Sequence, residues 1–138
     1  MENMKSDLIV LELIETCTEA VNYVKNTFEN GRLEAGLQML GDIVRLIEKV
    51  EATLTQHKNK NILKNSILYC KNIRYSVEKI FKYIGDKPKE FAFKILLYEI
   101  IPFSKELLTQ LDFELKILPY PERWNSYRIK REKQIEEY

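Results

Sequence analysis

The chain has 138 residues, of which 45% are hydrophobic and 31% charged, with a formal net charge of +1. That length and balance describe one globular domain able to bury roughly 70% of the surface of its unfolded chain. They exclude a disordered polyelectrolyte and the markedly basic domain usual among nucleic-acid binders. Four Gly and four Pro leave little material for turns, as expected of a few long helices. Abundant Lys and Ile with scarce Ala match the usage of an AT-rich bacterial genome. The opening MENMKSD carries charge early, and Glu12 and Glu15 interrupt the apolar run behind it. This pattern suits neither a signal peptide nor a membrane span, so a cytoplasmic protein is expected.

The first helix is expected from about Asp7 to Asn30, with Ser6 or Asp7 near its cap. Val10, Ile14, Cys17, Val21, Val24 and Phe28 alternate steps of four and three, a heptad seam. Glu12, Glu15 and Glu19 lie on another face, and Asn30-Gly31 ends the helix because both residues tolerate the left-handed conformation. The second helix, about Leu33 to His57, carries two apolar stripes. One is Leu33, Leu37, Leu40, Val44, Ile47 and Leu54; the other is Met39, Ile43, Leu46 and Val50. An arc that wide needs cover on two sides, which makes this helix the expected centre of the bundle. Gly36 and Gly41 inside it cost helix stability, and either close helix contact or a hinge explains them.

The third helix, about Asn61 to Ile84, again has two apolar stripes, one through Tyr69 and Ile73, the other through Cys70, Val77 and Phe81. Gly85 stops it and Asp86-Lys87-Pro88 restarts the chain. The fourth runs from Pro88 to Leu115, with Pro102 predicted to kink or break it. Ile117-Leu118-Pro119-Tyr120-Pro121 ends it firmly. The fold expected is all-α: an antiparallel up-down four-helix bundle over 1–118, with 119–138 a charged, aromatic helical extension rather than a second domain.

Enzyme signatures are sparse. Cys17 and Cys70 fall on apolar faces as core thiols. His57, the only histidine, stands in a polar run with no zinc-ligand spacing around it. No phosphate loop, nucleophile elbow or dinucleotide fingerprint occurs. No catalytic residue, metal ligand or cofactor is assigned, and a non-catalytic protein is expected.

Charge distribution says more than net charge. Residues 1–57 carry −5, residues 58–94 +7, residues 95–122 −3 and residues 123–138 +2. Lys60, Lys64, Lys71, Arg74 and Lys82 fall within an arc of about 80° on the third helix, with Tyr75 at its border. Such a face meets phosphates or an acidic protein surface, or is simply a solvated face. The carboxy-terminal segment places Trp124, Arg128, Arg131, Ile135 and Tyr138 on one helical face, with Tyr127 near it. That is the composition of interface hot spots, or of a tail folded back on its own bundle. The expected function is a protein-binding adaptor or chaperone-like accessory protein. The alternatives are a nucleic-acid-binding accessory protein using the basic face, or a self-assembling bundle, a homodimer being its simplest form.

Overall fold

The computed structural model describes residues 2–118. The expected extension, with Trp124, Tyr127, Arg128, Arg131, Ile135 and Tyr138, lies outside the described residues.

The described chain is helical throughout: α1 (Glu2–Glu29), α2 (Leu33–Thr55), α3 (Lys64–Tyr83), α4 (Lys89–Ile95), a π-helical turn (Leu96–Ile100) and α5 (Ile101–Lys116). It is an all-α domain with bundle-like packing. α1 packs on α2 and α5, and α3 packs on the same two helices from the other side. The four therefore form a ring in which α1 and α3 occupy opposite corners. α2 is one of four equivalent members rather than the centre, and its wide apolar arc is covered by α1 and α3.

Each helix contributes one heptad seam to the interior. Ile14, Cys17, Val21 and Val24 come from α1; Leu40, Ile43, Ile47 and Val50 from α2. Cys70, Ile73, Val77 and Ile80 come from α3, and Leu107, Leu111 and Leu115 from α5. Both cysteines are free thiols buried in this core, as their positions in the seams led one to expect. Phe81 departs from its expected stripe and is exposed, because the buried positions of α3 follow Ile73, Val77 and Ile80 instead.

The connections are built by local chemistry. Gly31, at φ +75°, closes α1: its N–H donates to the Phe28 carbonyl at 3.1 Å and the Arg32 N–H donates to Thr27 at 2.8 Å. This is the paired hydrogen-bond pattern of a glycine-terminated helix. Gly36 is buried against α1, and a Cβ placed there would lie 2.8 Å from Thr27 Oγ1 and closer still to the Phe28 ring. Close helix contact accounts for Gly36. Gly41 faces open space, so that explanation does not extend to it.

Two expected helix starts shift, and the fourth helix keeps its bounds to within a residue. α1 begins at Glu2, so Asp7 is an interior helical residue and not a cap. α3 begins at Lys64 rather than Asn61, because residues 57–63 form successive turns with Leu63 buried as their apolar plug. The fourth expected helix stays helical from Lys89 to Lys116, with a π-helical turn just ahead of Pro102. There the Ile101 N–H donates to Leu96, five residues back, and Pro102 falls in the first turn of α5. A proline there offers no N–H to the continuing ladder and its ring crowds the carbonyl four residues back, so the widened turn lies where the ladder is disturbed.

Among the described residues no helix is long and apolar enough to cross a membrane.

Candidate docking face on the third helix

The five basic residues that share one predicted helical face are separated by the structure. Lys64, Lys71 and Lys82 stand exposed on α3, while Lys60 is exposed in the turn ahead of it. Arg74 is withdrawn. Its guanidinium donates to both carboxylate oxygens of Glu51 on α2, at 3.0 and 3.2 Å, in a partly buried pair. A guanidinium so engaged holds α3 to α2 and is spent as a docking group.

Two apolar side chains complete the face. Leu68 is 53% and Tyr75 72% exposed. Lys64, Leu68, Lys71, Tyr75, Glu78 and Lys82 follow one another in steps of four and three, a continuous stripe down the outer side of α3. No ion pair to Lys64 or Lys71 forms among the described residues. Lys82 leans over the Tyr83 ring at 5.3 Å. Beside the first turn of the helix, Lys64, Asn65, Ile67, Leu68 and Lys71 line a shallow depression of about 370 Å³. The arrangement is an apolar strip bordered by flexible cations, suited to an acidic surface that also offers apolar side chains.

Buried polar groups anchor the helix that carries this face. Glu114 of α5 is buried and reaches the start of α3, where it accepts from the Asn65 N–H at 3.2 Å, the Ser66 N–H at 3.3 Å and the Ser66 hydroxyl at 2.5 Å. No side chain of the preceding residue caps α3, so a carboxylate from another helix takes that role. At the other end of the α2–α3 connection the His57 side chain is buried against Asp7. The His57 Nδ1 accepts the Asn59 N–H at 2.9 Å, which leaves the ring proton on Nε2, 3.1 Å from Asp7 Oδ2. His57 is thus a structural fastener between α1 and the end of α2. Further along α3, Glu99 of the π-helical turn accepts from Ser76 at 2.9 Å and from Lys79 at 2.9 and 3.1 Å.

The tyrosines divide by burial. Tyr69 packs on Phe103 with ring centroids 6.3 Å apart, and Tyr83 meets the Phe91 ring edge-on at 5.9 Å. Tyr98, although it lies at helical spacing among the apolar residues of the fourth helix, is 75% exposed. A separate pocket of about 330 Å³ lies where the α1–α2 turn meets α4, lined by Phe28, Glu29, Gly31, Leu33, Lys89, Glu90 and Phe93. Among the described residues no group of three or more His, Cys, Asp or Glu side chains is placed to hold a metal ion.

A family model described as a domain of unknown function (DUF8042) matches residues 10–110, well over half of the chain. The chain belongs to that family. The stripe on α3 lies wholly inside the DUF8042 match, whereas Asp7 and Glu114 lie just outside it. No curated protein and no solved structure matches the chain.

Sequence reasoning missed Asp7 and Glu114, although both carried a signal. Asp7 continues the seam Val10, Ile14, Cys17, and Glu114 continues Leu107, Leu111, each at heptad spacing. An acid in an apolar seam must find donors inside the fold. Leu68 was passed over for a related reason: it is an apolar residue midway between two lysines of the exposed stripe.

Proposed function

We propose that this domain is a non-catalytic protein-binding module, an adaptor or chaperone-like accessory protein, whose docking surface is the outer face of α3. The observation that carries this reading is the exposure of Leu68 and Tyr75 between Lys64, Lys71 and Lys82 on one helical stripe. Large apolar side chains held in water by a rigid helix supply contact area, and the lysines select an acidic partner. The partner fitting that chemistry is an amphipathic helix with carboxylates flanking its apolar strip. Asp7, His57 and Glu114, the ionisable groups met in the interior, are each hydrogen-bonded between elements and serve there as fasteners of the fold.

Fluorescence anisotropy with the full-length protein tests the reading. The probes are a labelled acidic amphipathic helical peptide and, for the rival reading, a labelled RNA hairpin. Protein docking predicts that Leu68→Ala and Lys64→Glu/Lys71→Glu each weaken peptide binding. Binding of RNA alone, lost on charge reversal and indifferent to Leu68→Ala, would transfer the stripe to nucleic-acid recognition and sink the adaptor reading.

A further inference from the structure

α1 carries a second exposed stripe with the opposite charge. Ile9, Glu12, Thr16, Glu19 and Tyr23 follow steps of three and four along its outer face. Ile9 is 55% and Tyr23 45% exposed, so this stripe too combines acids with apolar side chains in water. Glu12 and Glu19 are seven residues apart, as are Lys64 and Lys71 on α3. Both pairs therefore span about 10 Å along a helix. An acid pair and a lysine pair at equal separation can face one another in register whichever way the two helices run. With the helices parallel, Thr16 falls opposite Leu68, a small residue against a larger one.

Within one molecule the stripes do not meet, because α1 and α3 stand at opposite corners of the ring and the residues of both stripes are exposed. The two stripes of opposite charge can therefore meet each other between molecules. We propose that a second copy of this chain docks its α1 stripe on the α3 stripe of the first, through Glu12 and Glu19 against Lys64 and Lys71. This rests on the reading of the α3 face as a docking surface and names its occupant. The contact joins two different patches, so it is heterologous: each added copy leaves one α1 face and one α3 face open, and assembly runs to a ring or an open chain rather than stopping at a symmetric dimer. The interface is small and charged at its edges, which makes it weak and sensitive to salt.

The test is sedimentation velocity of the full-length protein at concentrations up to hundreds of micromolar. It is run at about 0.1 M and about 1 M salt, between which the screening length falls from about 10 Å to about 3 Å. Lys64→Glu/Lys71→Glu and Glu12→Lys/Glu19→Lys are examined singly and mixed, with helical content checked by circular dichroism. All four positions are exposed, so the variants are expected to fold. The proposal expects concentration-dependent assembly at low salt that weakens at least tenfold at high salt. Each variant alone is expected to be monomeric, and the mixture to associate, because one variant keeps the acidic stripe and the other the basic one. A wild type that stays monomeric at low salt overturns the proposal, as does a mixture that stays monomeric or a variant that assembles as wild type does. The anisotropy titration is independent: a monomer that still binds the acidic peptide loses the self-docking inference and keeps the docking face.

Discussion

Replacing Glu114 by Ala should be among the more damaging single changes available in this chain, because the carboxylate holds the first turn of the helix that bears the docking face. It accepts from two backbone N–H groups and one hydroxyl. Asn65 is exposed, so its N–H can turn to water. Ser66 is buried, and its N–H and hydroxyl would be stranded. Two stranded buried groups cost about 1–3 kcal/mol each, the backbone one being the lost helix cap itself. Relief from keeping a carboxylate out of water offsets part of this, leaving a net loss of about 3 kcal/mol. For a chain of this size that lowers Tm by about 10 °C. Urea unfolding followed by circular dichroism measures it. Ser66→Ala removes one of the stranded groups, so the double variant should cost about 1 kcal/mol less than the sum of the single changes. A Glu114→Ala protein within about 0.5 kcal/mol of wild type, or strict additivity with Ser66→Ala, would refute the capping argument.

Three other outcomes follow from the packing. Gly36→Ala forces a methyl group against Thr27 and Phe28 and should destabilise by about 1–3 kcal/mol, while Gly41→Ala, in open space on the same helix, should stabilise by about 0.5–1 kcal/mol; thermal melts of the pair give the opposite signs directly. Asp7→Leu removes the acceptor of the buried His57 Nε2–H and should cost about 1–3 kcal/mol, whereas Asp7→Asn retains an acceptor oxygen and should cost about half of that or less, as compared by urea unfolding. Burial pushes the thiols of Cys17 and Cys70 up to about 12, with the Glu51 charge adding to the effect at Cys70. Between the ordinary thiol value of 9.0 and about 12 the unfolded chain releases protons that the native state keeps. Stability therefore falls as pH rises, by about 1.4 kcal/mol per pH unit for each thiol, and Cys17→Ala should remove one thiol's share of that slope.

The heptad seams made the interior legible from sequence. Cys17, Ile43, Cys70 and Val77 all occupy the buried positions their spacing assigns, because a helix of 3.6 residues per turn has only one way to hide such a stripe. What spacing could not convey was which polar residues the seams would also swallow. An acid near a helix start is the usual N-terminal signal and marks Asp7 as a cap, yet its heptad position and a histidine fifty residues away decide the outcome. Glu114 and the start of α3 are a parallel case, since a cap supplied by another helix leaves no local trace. Arg74 looked like a member of the basic stripe because angle alone placed it there. It sits at the stripe's inner edge, where Glu51 of α2 is within reach, and the pairing depends on helix packing rather than on the sequence of α3. The π-helical turn before Pro102 was likewise out of reach, since a proline predicts a disturbed ladder and not how the backbone relieves it.

The claim on which the functional account turns is that the outer face of α3 is a docking surface for an acidic amphipathic partner. Amide chemical-shift mapping of the full-length, isotopically labelled protein during titration with an acidic amphipathic helical peptide tests it most directly. The account predicts saturable shifts concentrated at Lys64, Leu68, Lys71, Tyr75 and Lys82, with the buried seams unmoved. Shifts gathered instead around Phe28, Lys89 and Phe93, or none along α3 at saturating peptide, would contradict it.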